Sequence, residues 1–267
     1  MLIIFSRQKM HMTCMLINIF IYGWLMRGGV MKVIIIKKEK IKKAAILIAV
    51  IIILLSTFNF LYMDSMNTFK LPMKNAVIII DPGHGGIDPG AVGKTGVAED
   101  KINLEISLKL RRLIEQSGGV ALMTREDDSG LYSDGRTRIR DKKNEDLRSR
   151  HEMINNSGAN IFISIHLNSF PQSQYYGAQT FYQKGDEEGK KLAELIQKEL
   201  KEVIENQNHR MAKSIDTVYI LKNKNMPGAL IECGFLSNPQ EEKILQEEKY
   251  QNKIAWAIFM GIMRYLS

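Results

Sequence analysis

Residues 75–80 read NAVIII and run directly into DPGHGG at 81–86. Val77 to Ile80 are all β-branched and apolar, and Asp81-Pro82-Gly83 closes the run with turn-forming residues. That pattern describes a short strand buried on both faces. Strands of this kind belong to parallel sheets covered by helices on each side, so this stretch sets the fold class. Downstream, apolar residues at 104, 106, 108, 110, 113 and 114 mark a helix over 103–116, stopped by Gly118-Gly119. Strands are expected at 120–123, 161–165 (IFISI), 179–182, 218–221 and 229–233. Further helices are expected over 144–156, 190–204, 239–247 and 249–265, with a charged surface loop over 126–144. The alternation predicts one α/β domain over residues 76–267: a mixed, largely parallel twisted sheet flanked by helices.

The composition of the 267 residues, 45% hydrophobic and 25% charged with two cysteines, excludes a disordered chain and a disulfide scaffold. The net charge of +8 is unevenly placed. Residues 1–75 hold 11 Lys/Arg against Glu39 and Asp64, a balance of +9, and residues 76–267 a balance of −1. A neutral body gives no footprint for a nucleic-acid partner.

The basic segment precedes residues 44–62, AAILIAVIIILLSTFNFLY, which carry no charge. Nineteen helical residues reach roughly 28 Å, close to the thickness of a bilayer's hydrocarbon core. Six lysines from Lys32 to Lys43 lie before the run, and only Lys70 and Lys74 follow closely. The positive-inside rule then puts the body on the extracytoplasmic side, tethered to the cytoplasmic membrane by a single-pass anchor. Cleavage as a signal peptide would secrete it instead, but STFN at 56–59 is a poor cleavage site. Met31 opens the usual charge-then-apolar order, so it is the expected initiator, with residues 1–30 an upstream extension. The alternative reading of that extension is a hydrophobic hairpin over 13–26.

Ligands of α/β sheets bind at the carboxyl ends of strands. His84 follows the first strand, Glu99 lies in the loop before the first helix, His166 follows IFISI, and Glu232 ends ALIE. Two imidazoles and a carboxylate suit a zinc ion with a fourth position left for water. The separations are not those of the helical HExxH motif, so such a site would be assembled from separate segments. The glycines beside His84 could instead cradle a phosphate, but neither GxGxxG nor a P-loop spacing fits. Glu99 could merely serve a helix N-terminus, and His166 could cap a strand. Glu232, among Leu230, Ile231 and Cys233, would be costly to bury without a partner. A thiol nucleophile from Cys233 with His166 as base is the rival catalyst. Neighbouring strand residues face opposite ways, so Cys233 is expected in the core if Glu232 faces the site. His11, His151 and His209 read as solvated.

VIIIDPGHGG at 77–86, Glu99, FISIHLN at 162–168 and ALIECGFLSNPQE at 229–241 resemble the zinc-dependent N-acetylmuramoyl-L-alanine amidases of the third amidase family. The likeness covers essentially all of 76–267. It implies one Zn²⁺ held by His84, Glu99 and His166, with Glu232 as the catalytic carboxylate. The reaction implied is hydrolysis of the amide between muramic acid and L-alanine, with peptidoglycan glycan and stem peptide as partners. YYGAQTFY at 175–182, YQNKIAWAIFMGI at 250–262 and the lone catalytic domain are similar to spore-cortex members. In those members the cleavage prepares muramic δ-lactam. Some relatives insert an inhibitory helix after the second histidine motif. Residues 166–177 are too few for it, so an open groove is expected, with any restraint supplied by timing or an accessory protein. Asn168, Ser169 and Arg125 lie beside the motifs as candidate substrate contacts. A catalytically silent peptidoglycan-binding module, or a zinc peptidase cutting the stem peptide, are the other readings.

Overall fold

A computed structural model describes residues 19–27, 30–68, 73–133, 135, 138–204 and 207–267. The chain divides into two units, residues 1–70 and 71–267. In the first, β1 (Ile19–Arg27) pairs antiparallel with β2 (Val30–Lys37), and α1 (Lys38–Thr68) follows. The stretch Glu39–Asn59 has a mean hydropathy of 2.3, so by length and composition it is able to cross a membrane. His11, Cys14 and part of the 13–26 hairpin lie outside the described residues.

The second unit is built on β3 (Val77–Pro82), α2 (Glu99–Gln116), β4 (Val120–Met123), α3 (Ile139–Asn156), β5 (Ile161–Asn168) and β6 (Gln179–Gln183). It continues with α4 (Glu187–Ile204), β7 (Lys213–Ile215), β8 (Gly228–Phe235), α5 (Pro239–Leu245) and α6 (Glu248–Leu266). Among the described residues these strands form one six-stranded sheet in the order β4-β3-β5-β8-β6-β7. The central pairs β4/β3, β3/β5 and β5/β8 are parallel, while β6 runs antiparallel to β8, making the sheet mixed. The edge strands β4 and β7 span four and three residues, against eight for β5 and β8.

Burial on both faces explains the unbroken apolar runs. Ile78, Ile80, Ile163, Ile165, Ile231 and Cys233 face one core with α2, α4 and α6. Ile79, Phe162 and Leu230 face a smaller one with Ile154 of α3. Helix α2 turns a stripe of Ile102, Ile106, Leu110 and Ile114 to the larger core, a one-turn spacing. Helix α5 begins where Asn238 accepts hydrogen bonds from the Gln240 and Glu241 amides, with Pro239 in the first turn.

Several elements differ from the sequence reading, three of them for a plain physical reason. Helix α2 starts at Glu99, not near 103, because Glu99 and Asp100 supply the acidic first turn that a helix N-terminus favours although they are not apolar. Helix α3 starts at Ile139, inside the expected loop; its outward face is so charged that no apolar period shows. Residues 218–221 are not a strand: Tyr219–Leu221 form a single 3-10 turn whose Ile220 and Leu221 are buried. A short apolar run has no period to separate the two conformations. The strand beside β6 is instead Lys213–Ile215, too short and polar to register in the sequence.

Candidate functional site

His84 stands just beyond β3 with φ 65, a left-handed conformation unusual for a residue with a side chain. Its backbone is held there by Arg150, which donates to the His84 carbonyl at 2.6 Å and to the Pro82 carbonyl at 2.8 Å. Arg150 is itself paired with Asp81 at 3.0 Å and Asp146 at 2.6 Å. Asp81 accepts further hydrogen bonds from Thr124 (2.7 Å) and Ser164 (2.8 Å), so a fully partnered buried ion pair underlies the loop.

The His84 ring is fixed at both nitrogens. Nδ1 lies 2.9 Å from Asp88 Oδ2, and Nε2 lies 3.3 Å from Glu99 Oε1. Asp88 in turn accepts from Lys143 Nζ at 2.6 Å and from the Gly90 amide at 3.2 Å. This is the arrangement in which a carboxylate orients a ligand imidazole and selects the nitrogen it offers. Glu99, only 3% exposed, accepts from the Ala91 and Leu167 amides at 2.9 and 3.0 Å, which locks its carboxylate. His166, the sixth residue of β5, brings Nδ1 to 3.1 Å from the same Glu99 oxygen. Gly83 permits this packing, since a Cβ there would overlap the His166 ring.

The two imidazoles and the carboxylate thus converge: one ligand atom from each of His84, Glu99 and His166 lies within 4.8 Å of the others. Their rings stand 5.0 Å apart at 79°, open to a shared point rather than stacked. Charge favours a cation there. Burial would raise the Glu99 carboxyl, but hydrogen bonds from His166 and His84 outweigh it and hold it well below the usual range. Burial opposes charge on His84, yet Asp88 and Glu99 overcome it and raise the imidazole to about 10. Nitrogen and oxygen donors in this number are those zinc accepts, and the residues present fit it.

Glu232 approaches from β8, directly opposite His166 in the parallel ladder. Its Oε2 is buried with no hydrogen-bond partner from the protein among the described residues. Burial pushes its carboxyl up to about 7, with His166 and His84 pulling the other way. An orphaned oxygen poised near neutrality beside the cluster is what a proton-shuttling group requires. Cys233 points away into the larger core, and burial drives its thiol well above its ordinary range. The strand alternation therefore removes the thiol rival.

Other candidates take different places. Arg125 is buried and donates to the carbonyls of Pro82, Gly83 and Asp100, so it braces the His84 loop and does not face a substrate. Asn168 ends β5, where its carbonyl accepts from Leu236. His151 is half-buried against the Lys222 carbonyl at 2.8 Å, not solvated as expected, while His209 is exposed. Asp88, Asp81 and Arg150 escaped the sequence reading. Asp88 had one usable signal, its place four residues after His84 in the same glycine-rich loop.

Residues 78–264 match the family described as N-acetylmuramoyl-L-alanine amidase. The germination-specific N-acetylmuramoyl-L-alanine amidase of Bacillus subtilis is 43% identical over 213 residues, covering 80% of this chain and 89% of that protein. The CwlD amidase of Clostridioides difficile, solved in complex with the GerS lipoprotein, is 56% identical. It superposes with a TM-score of 0.71 over 72% of this chain and 98% of that one. An N-acetylmuramoyl-L-alanine amidase from Clostridium difficile 630 is 32% identical, with a TM-score of 0.63 over 72% and 97% of the two chains. The motifs, the sheet and the converging side chains carry one signature, and the chain belongs to the N-acetylmuramoyl-L-alanine amidase family.

Proposed function

We propose that the chain hydrolyses the amide joining the lactyl group of muramic acid to L-alanine in peptidoglycan, using one zinc ion held by His84, Glu99 and His166. The observation that carries this reading is the convergence of those three ligand atoms within 4.8 Å. A zinc ion bound there supplies Lewis-acid polarisation of the scissile carbonyl and lowers the pKa of water to about 7. Glu232 takes a proton from the attacking water on Oε2 as the carbon–oxygen bond forms. It then returns that proton to the alanine nitrogen as the carbon–nitrogen bond breaks. A carboxyl that titrates at about 7 suits both halves of the transfer. Asp88 keeps the His84 ring in its orientation, and Glu99 anchors the site to two backbone amides.

The spore cortex is the proposed substrate, with muramic δ-lactam as the eventual product. The similarity to a germination-specific amidase supports this. An accessory protein is part of the proposal, because the similar CwlD amidase assembles with a lipoprotein. So is a membrane anchor, supported by the apolar helix over Glu39–Asn59.

Glu232→Ala is expected to keep its zinc and to lose turnover by about 10²–10⁴-fold, the usual share of a general acid–base. Muropeptide mass spectrometry supplies the check and maps the cleaved bond. Undiminished release of stem peptide by the variant, or a cut within the peptide, would refute the assignment. Spores lacking the protein are expected to lack the lactam.

A further inference from the structure

The connection from β5 to β6 leaves the sheet at Ser169, three residues after His166, and contains no helix. Three aromatic side chains in it face solvent: Phe170 is 43% exposed, Tyr175 41% and Tyr176 44%. They are not loose. Phe170 and Tyr175 pack edge to face with centroids 5.4 Å apart, and Phe170 packs the same way on the buried Phe235, also at 5.4 Å. Phe235 ends β8, three residues beyond Glu232. Arg210 covers the Phe235 ring at 4.6 Å.

The backbone beneath these rings is tied at four points. The Phe170 amide donates to Ser237 Oγ at 3.0 Å, and the Tyr175 carbonyl accepts from Asn238 at 3.2 Å. The Tyr176 carbonyl accepts from Arg210 Nε at 2.9 Å, and the Gly177 amide donates to the buried Glu241 carboxylate at 3.0 Å. Water-facing aromatics on so braced a loop keep their apolar area uncovered, which marks a contact surface. The rings stand on the rim formed by the same two strands that carry His166 and Glu232.

We propose that Phe170, Tyr175 and Tyr176 form a stacking platform for N-acetylated sugars of the glycan strand flanking the scissile bond. The proposal rests on the amidase reading above. In that reaction the reacting carbonyl hangs from a sugar through a single lactyl unit, so the glycan lies beside whatever adjoins the site. Pyranose rings present faces of polarised C–H bonds, which the negative face of an aromatic ring attracts. The stem peptide, with its carboxylates, calls for cations instead. Arg210 spends two of its donors on the Tyr176 carbonyl and on Gln179 Oε1 at 3.0 Å. What the platform exposes is aromatic area, and that chemistry suits glycan.

Chitotetraose, a β-1,4-linked N-acetylglucosamine oligomer without peptide, tests this by saturation-transfer NMR on the full zinc-loaded chain in detergent. The wild type is expected to show transfer to the sugar-ring protons. Phe170→Ala/Tyr175→Ala is expected to bind at least about tenfold more weakly, as loss of paired aromatic anchors does. Tyr176→Ala, whose ring makes no ring–ring contact among those described, provides a second variant free of repacking at Phe235. Tyr175→Phe keeps the ring and is expected to keep binding, while zinc content and melting midpoint report integrity. Equal binding by the wild type and both alanine variants, or no binding by the wild type, overturns the platform. The outcomes are separable from the catalytic reading: Glu232→Ala that turns over normally sinks that reading and leaves the sugar titration intact. Unaltered sugar binding in the alanine variants sinks the platform and leaves the Glu232 result standing.

Discussion

The His84 ring presents Nε2 to Glu99 because Nδ1 is already engaged by Asp88, whose own charge is steadied by Lys143. Asp88→Asn retains the shape but weakens that acceptor. Its zinc affinity is expected to fall about 10–100-fold, the usual effect of removing an outer carboxylate from a ligand histidine. Competition against a chromogenic chelator measures it, and an unchanged affinity would assign the orientation to the backbone alone. Of the candidate site residues, His84, His166 and Glu232 stood out because each closes or follows a short apolar run, whereas Glu99 lies in a polar loop and carried weight only through the family resemblance. Asp88, Asp81 and Arg150 did not stand out, since their meaning depends on partners up to 83 positions away. Arg150 lies in a helix crowded with charge, and nothing in RDKKNEDLRSR distinguishes the one guanidinium that folds inward.

At the scale of elements, the strands with buried faces were located by their apolar runs, because burial on both sides forces unbroken β-branched stretches, although β5 and β8 each extend three residues in all beyond those runs. Elements whose outward faces dominate their composition were not. Helix α3 buries only Arg150 and Ile154, so its sequence shows no stripe. Helices α4 and α6 illustrate the opposite case, with apolar stripes that meet closely enough for Gly261 to touch Ile196. A Cβ at Gly261 would come within 2.6 Å of the Ile196 Cα. Because backbone cannot yield as a side chain does, Gly261→Val is expected to cost about 1–3 kcal/mol through overpacking. Urea unfolding should show a lower midpoint at an unchanged m-value; a midpoint equal to wild type would mean that the helices separate freely.

For the molecule as a whole, the Asp81–Arg150 pair ties β3 to α3 below the site and links stability to pH. Burial alone would raise the Asp81 carboxyl, but Arg150, helped by Thr124, His166 and Ser164, holds it below its ordinary value. A carboxyl depressed by folding stabilises the native state above its unfolded pKa of about 3.9, and that contribution is lost as pH falls through the lower folded value. Wild type should therefore exceed Asp81→Asn in stability at neutral pH, and the gap should narrow as the pH drops below about 4. Parallel melting curves of the two proteins from pH 7 to pH 3 check the sign, and a constant gap would contradict the linkage.

The sheet's outermost strands span only four and three residues. Each margin consequently exposes few unsatisfied amides and carbonyls, and a foreign extended segment finds little to zip onto. Copies of this six-stranded sheet therefore have little border through which to coalesce.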